Sequence, residues 1–338
     1  MSFTRPTLLI IPTHNHPTCL PLAIASAQRQ SIEDVDIVVI GDGVSDDTRD
    51  VVMPIQAGDK RVRFLDLPKA IRHGEEYRDA VIRQSTASVI SYLGDDDLLF
   101  PHHLETMHES IADVDFANPL PIFIMRDGTL AYLATDLADP ASLAWHLHPR
   151  VRRNSVSLTG ATHTRDSYLR LPHGWRPAPP GRWTDHYMWE QYFRLPGFMA
   201  RTSHLSTTAK FAQWDGTYID RAAEIQEFST RMSQPGFTEK WNADVADRIR
   251  RQSVKSLLLL TDLQGKPLNR LRSALSTQIL FGRRPTQPSA ESPAATGGTA
   301  WKDRVAAGYA VRRIPRPRPI PDFNNISRSD SDMPPHTP

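Results

Sequence analysis

The sequence predicts an α/β protein built on a mostly parallel sheet flanked by helices, with a helical C-terminal extension. Two observations carry this expectation. Short apolar runs suited to buried strands alternate with segments whose apolar residues recur at helical spacing. Three polar segments, "PTHN" (12–15), "GDG" (41–43) and "GDDD" (94–97), each follow one of those strands. Open α/β sheets place their ligands at that position, outside the carboxyl ends of the strands.

The elements follow in order. "TLLIIP" (7–12) reads as the first buried strand. "PTCLPLAIASAQRQ" (17–30) carries Leu20, Ala23, Ile24 and Ala27 at helical spacing, with Pro17 suited to a first turn. "VDIVVIGDG" (35–43) is a second buried strand closed by a glycine turn, and "RVRFLDL" (61–67) alternates like an edge strand. "EEYRDAVIRQSTA" (75–87) suits a helix and "SVISYLG" (88–94) another buried strand. From about 115 to 235 the pattern loosens and fills with aromatics, histidines and prolines. "TDHYMWEQYF" (184–193) begins a helix there, with Thr184 or Asp185 suited to cap it. Residues 238–281 read as helical, with Trp241, Val245 and Ile249 four apart and a leucine cluster after Lys255.

The last stretch, 283–338, holds 10 of the 28 prolines and 9 Lys/Arg against 5 Asp/Glu, a composition that predicts disorder. Within it "WKDRVAAGYAVRRI" (301–314) suits a short helix and "PRPRPIP" (315–321) polyproline II. This tail is expected to be dispensable for ligand binding.

Bulk properties exclude more than they select. A net charge of +2 over 338 residues gives no strong nucleic-acid signal. The single cysteine, Cys19, rules out an internal disulfide. No apolar run approaches a transmembrane span, and the N-terminus lacks a secretory pattern. A cytoplasmic setting is the expectation.

The acidic cluster raises the sharpest question. Asp95, Asp96 and Asp97 stand between two apolar runs. Two carboxylates about 4–5 Å apart repel by roughly 3–4 kcal/mol at an effective dielectric near 20. Either water screens a solvated loop, or a divalent cation is held by clustered hard oxygens.

Taken together, "LLIIPTHNHPTCLPLAIASAQRQ", "DIVVIGDGVSDDT" and "YRDAVIRQSTASVISYLGDDDLLFPHHL" resemble the nucleotide-sugar-binding half of family-2 glycosyltransferases with the GT-A fold. The resemblance covers residues 7–105 well and continues more weakly to about 200. It implies a glycosyltransferase domain over 1–235, with a nucleotide-sugar half (1–115) and an acceptor half (116–235). A helical extension (236–282) and the tail (283–338) would follow. The implied reaction moves a sugar from a nucleotide-diphosphate sugar, expected to be a UDP-sugar, to a hydroxyl of a glycan, lipid-linked sugar, small molecule or protein.

The resemblance also assigns residues. Pro12, Thr13 and Asn15 fall in the turn that touches the nucleotide base; the bland reading of Thr13 or Asn15 is a cap. Asp42 matches the acid that reads the base imide, although Gly41 replaces its usual acidic neighbour. Arg78 lies where the family places an arginine near the phosphates, with Asp79 in place of an amide; a solvated helix face is the competing reading. Alignment on "LLFP" puts the family's metal-binding aspartate on Asp96, with Mn²⁺ or Mg²⁺ as the cofactor. Asp95 then faces the ribose or supplies the first carboxylate lost at Gly94. Asp97 is left as a supporting partner or a cap for the helix near Pro101. Adjacent His102 and His103 point about 100° apart on a helix and are read as structural.

An inverting transferase needs a carboxylate to accept the acceptor's proton. The family's base lies before an aromatic-rich helix, which selects Asp185, with Glu190 and then His186 as rivals. Trp183 and Trp189 are candidates to stack on a sugar, and "TGATHTRD" (159–166), with His163, for an acceptor wall. The competing functions are an inactive transferase-like domain that binds a sugar or partner, favoured by the departures at Gly41, Asp79 and Gly94, and a nucleotidyltransferase. The latter ranks last because no glycine-rich basic loop follows the first strand.

Overall fold

The computed structural model describes residues 6–133, 135–149, 151, 153–212 and 220–262. Its first half alternates strictly: β1 (Thr7–Thr13), α1 (Leu20–Gln28), β2 (Val35–Asp42), α2 (Asp46–Gly58), β3 (Val62–Leu67), α3 (Glu75–Gln84) and β4 (Val89–Tyr92). β1 pairs in parallel with both β2 and β4, and β3 extends the sheet from β2. Successive strand residues face opposite sides. Leu9, Ile11, Ile37 and Val39 pack on one side with Leu20, Ile24 and Ala27 of α1 and Val52 of α2. Leu8, Ile10, Val38 and Ile40 pack on the other with Ala80, Val81 and Ile82 of α3. Covering both faces is what makes β1 and β2 near-continuous apolar runs.

Two local expectations change. Cys19 is the N-cap of α1, so Pro21 rather than Pro17 occupies its first turn. The helix α2, with Pro54 inside it, was not anticipated; Asp46 and Asp47 in its first turn complement the helix dipole.

The chain continues through β5 (Leu98–Leu99), α4 (His103–Ser110), β6 (Phe116–Asn118), β7 (Ile122–Ile124) and β8 (Leu130–Tyr132). Then come α5 (Pro140–His146), β9 (Thr162–Thr164), α6 (Arg165–Leu169), α7 (Thr184–Phe193), β10 (Ala200–Thr202), β11 (Thr208–Phe211), α8 (Ala222–Met232) and α9 (Phe237–Asp262). The large sheet has seven strands in the order β10-β6-β9-β4-β1-β2-β3. β9 is antiparallel to both its neighbours, and the other pairings in this sheet are parallel. As expected, β3 is an edge. A second sheet of four short strands has the order β5-β11-β7-β8.

The acidic segment is the passage from one sheet to the other, because β4 ends at Tyr92 and β5 begins at Leu98. Beside the second sheet, Phe100, Phe211 and Phe228 form a separate core against Phe237 and Trp241. On α9, Trp241, Val245 and Ile249 pack toward Ile122 and Tyr132, as their spacing predicted. The continuation of that helix to 281, the leucine cluster's far end and the tail features at 283–338 lie outside the described residues. Among the described residues no helix is long and apolar enough to cross a membrane.

Candidate active site

The strand order places β4 on one side of β1 and β2 on the other, so the chain reverses direction across β1. Such a switch point opens a crevice at the carboxyl ends of the strands. Pro12 and Thr13 end β1 there. Thr13 is buried, and its hydroxyl has no hydrogen-bond partner among the described residues. Asn15 does not cap a helix; its side-chain oxygen accepts the Ser45 amide at 3.0 Å and ties the β1 turn to the β2 turn. His14 bonds the Asp42 carbonyl at 2.8 Å across the same junction.

Asp42 is 4% exposed at the end of β2. Its carboxylate accepts the Ala70 amide at 2.5 Å and is ion-paired with Lys69. The predicted base reader is therefore already held by the loop after β3. Arg78 corrects the solvated-face alternative: it is 3% exposed, stacks over the Trp175 ring at 4.3 Å and donates to the His73 carbonyl at 3.0 Å. Burial pulls its pKa down, opposed by the nearby carboxylates of Glu75, Asp185 and Asp42. Its Nε has no partner among the described residues. Asp79 is structural, accepting the Tyr168 hydroxyl at 2.7 Å and pairing with Arg83 at 2.9 Å.

The three adjacent aspartates have three different environments. Asp95 is paired with His16 Nδ1 at 3.0 Å, and this bond is the largest cause that raises the His16 pKa. Asp97 is fully buried and saturated. It accepts from Thr159 Oγ1 at 2.5 Å, Lys210 Nζ at 2.8 Å and the Phe211 amide at 2.9 Å. It caps no helix, because the register that pairs Leu98 with Ala209 turns it against Lys210 one step further on. Asp96 is half-buried and makes no hydrogen bond or ion pair among the described residues. Desolvation first, then the negative charge of Asp97, pushes its pKa up to about 7.

Gly94 now has a physical explanation. A Cβ there would sit 3.0 Å from Asp97 Oδ2 and 3.1 Å from Thr159 Oγ1. The buried Asp97 carboxylate fills the space that a side chain at 94 would need.

Asp185 lies in the first turn of α7, but Trp183 is the N-cap and no side chain caps the helix. Neither Thr184 nor Asp185 has the capping role expected of it. Thr184 instead donates to Glu75 at 3.2 Å, and the Asp185 carboxylate accepts the Leu158 amide. Burial raises the Asp185 pKa, while Arg78 and Lys210 oppose the rise. The rivals are engaged elsewhere. Glu190 is ion-paired with Arg182, and His186 is buried with Nε2 donating to the His146 carbonyl at 3.0 Å. Trp189 is fully buried whereas Trp183 is 52% exposed, so of the two only Trp183 presents a ring face to solvent. His163 is not a wall residue but core, accepting the Tyr92 hydroxyl at 2.8 Å. His103 is likewise buried, bonded to Thr207 at 2.8 Å.

The structure thus pairs Asp97 with one cation, Lys210, whose pKa burial lowers while Asp97, Asp96 and Asp185 raise it. Sequence reasoning missed Lys210. It lies on a four-residue strand with no motif around it, and only the pairing of β11 with β5 brings it to the acids.

A cation fits this donor set. Among the described residues no three His, Cys, Asp or Glu side chains form a closed metal site. Mg²⁺-type sites use one or two carboxylates and take their remaining ligands from substrate phosphates and water. Asp96, which makes no hydrogen bond or ion pair among the described residues, is the side chain suited to that role.

A mostly parallel sheet with an acidic crevice at its switch point is an α/β architecture of the kind that places its ligands there. Residues 8–165 match the model of Glycosyl transferase family 2. A GalNAc(5)-diNAcBac-PP-undecaprenol beta-1,3-glucosyltransferase of Campylobacter jejuni is 33% identical over 128 residues, 36% of this chain and 40% of the relative. An uncharacterized glycosyltransferase of a Nostoc species is 29% identical over 122 residues, 36% of this chain and 37% of the relative. The match thus spans about two fifths of these relatives' length. Among solved structures, S. aureus TarS 1-349 in complex with UDP-GlcNAc aligns with a TM-score of 0.49 at 12% identity, over 67% of this chain and 66% of that one.

Proposed function

We propose that the chain is a metal-dependent, inverting glycosyltransferase that moves a sugar from a nucleoside-diphosphate sugar, UDP-linked, to an acceptor hydroxyl. The observation that carries the reading is Asp96. Within the family-matched segment, it is the carboxylate at the switch point whose neighbours are neutralised while it is not. Asp96 would hold Mn²⁺ or Mg²⁺, which when bound offsets charge on the leaving diphosphate. Thr13, Asn15 and Asp42 line the base end, Arg78 the phosphate end, and Asp95 the ribose. The acceptor oxygen attacks the anomeric carbon as the bond from that carbon to the diphosphate oxygen breaks. The acceptor proton passes to Asp185 and the electron pair leaves with the nucleoside diphosphate. The Campylobacter relative's name describes a lipid-linked glycan, which makes such a glycan the first acceptor class to test.

The test is a thermal-shift screen of nucleotide sugars with and without Mn²⁺, followed by assay of donor hydrolysis. We expect Mn²⁺-dependent stabilisation by UDP, by a few kcal/mol of apparent stability at saturation, that Asp96→Ala abolishes without unfolding the chain. Equal stabilisation of variant and wild type would remove Asp96 from the metal. Binding without any turnover would make the chain a sugar-binding domain instead.

A further inference from the structure

Lys210 does more than balance Asp97. It stands on β11, beyond the family-matched segment, and reaches back across the sheet junction into the acidic crevice. Asp97 holds its ammonium at 2.8 Å, and Asp97 is itself fixed by Thr159 and the Phe211 amide. The carboxylate is therefore a rigid mount with all its neighbours in place. An ammonium carries three donors. The Lys210 side chain is 28% exposed, so part of it still meets solvent. Asp96, the carboxylate suited to a metal, is the chain neighbour of the Asp97 that holds this ammonium, so the charge stands at the acidic crevice beside it. A nucleoside-diphosphate sugar with its phosphates beside Asp96 would bring its diphosphate close to this ammonium.

We propose that Lys210 is a donor-binding residue, a permanent cation of the site that hydrogen-bonds the diphosphate of the nucleotide sugar. The inference rests on the transferase reading above and assigns it one more contact. It also gives the four-stranded sheet a purpose, since β11 is held against β5 and β7 at the register that delivers Lys210 to the crevice.

The experiment compares UDP and uridine binding by calorimetry to the full chain at one Mn²⁺ concentration. Lys210→Met should weaken UDP at least about tenfold, the loss of one charge-assisted hydrogen bond, and leave uridine unchanged. The single variant strands a buried Asp97 charge and risks misfolding. The double variant Lys210→Met/Asp97→Asn removes both charges, keeps an acceptor for the Phe211 amide and leaves the Asn amide nitrogen to donate to the Thr159 hydroxyl oxygen. If Lys210 binds diphosphate, the double variant stays weak for UDP. Recovery of wild-type UDP affinity in the double variant would overturn the proposal, because Lys210 would then matter to Asp97 alone. Equal loss of UDP and uridine would overturn it too. A wild-type chain that binds no nucleoside diphosphate across UDP, GDP, CDP and dTDP would instead overturn the transferase reading itself.

Discussion

Asp185 is held in place by its carboxylate, which accepts the Leu158 amide, and not by a duty to its helix, whose N-cap is Trp183. That distinction decides what its removal should do. A sugar hydroxyl is a weak nucleophile at neutral pH, and a positioned carboxylate speeds attack by accepting the proton as the bond forms. Burial raises the Asp185 pKa, which makes its carboxylate a stronger base, and Arg78 and Lys210 oppose the rise. Asn at 185 retains an oxygen for the Leu158 amide but has no basicity. Asp185→Asn should therefore melt like the wild type and bind UDP equally well. Its transfer rate should fall by about a hundredfold or more, within the range for loss of a general base. Steady-state transfer and UDP titration on the same preparation check this. Near-normal transfer would eliminate Asp185, and the engagement of Glu190 by Arg182 would then direct attention to a base brought by the acceptor's own surroundings.

At the level of elements, the site depends on turns that the strands alone do not specify. Gly43 follows β2 at φ +65, and a Cβ there would lie 2.5 Å from the Lys69 Cβ and 2.8 Å from its backbone. The close approach of these two segments lets Lys69 and the Ala70 amide hold the Asp42 carboxylate. Gly43→Ala pays the left-handed penalty of roughly 1–2 kcal/mol and also drives the loop after β3 away. We expect a loss of about 2 kcal/mol or more in urea unfolding together with weakened UDP binding; unchanged affinity would show that the Asp42–Lys69 clasp is irrelevant to the nucleotide. The sequence made β1, β2, β3, β4, α3 and α7 legible because their apolar periodicity is strong and both faces of the sheet are covered. It marked the crevice because Thr13, Asp42 and Asp96 all end up at strand ends. It did not reveal α2, whose Pro54 argues against a helix, or the second sheet, whose strands of two to four residues are too short to show a period. Lys210 was hidden for the same reason. The identity of Asp97 as a buried mount, and of Gly94 as the space it needs, follows from cross-strand register and from no local pattern.

Across the whole molecule, stability is tied to pH by histidines that the fold keeps as core, one of which, His163, the sequence had suggested for an acceptor wall. In the large sheet, Trp175 Nε1 donates to the Tyr92 hydroxyl at 2.8 Å, and that hydroxyl donates to His163 Nε2 at 2.8 Å. His163 Nδ1 donates to the Thr164 carbonyl at 3.0 Å. The neutral ring is saturated, and protonating Nε2 would set one donor against another. Desolvation adds to this, and the His163 pKa is lowered to about 4. His146 on α5, also lowered to about 4, and His103 on α4, lowered to about 3, are buried in the same way. The sign follows from linkage. Below pH 6.5 the unfolded chain protonates its histidines while the folded chain keeps His163 neutral, so the unfolded state binds more protons and stability falls as pH falls. The slope is about 1.4 kcal/mol per pH unit for one such group, and it ends near pH 4, where the folded ring also protonates. The groups with raised pKa, His16, Asp96 and Asp185, act in the opposite sense, so the wild-type profile alone mixes the two. Comparison with His163→Gln isolates the buried ring. The variant should be less stable at pH 7, because it disturbs the Tyr92 and Thr164 bonds, and the deficit should shrink steadily as pH is lowered from 6.5 toward 4. Urea unfolding at half-unit pH steps measures the difference. A deficit independent of pH over that range would mean that folding does not lower the His163 pKa, and Nε2 would then donate to the Tyr92 hydroxyl below pH 6.5 instead of accepting from it.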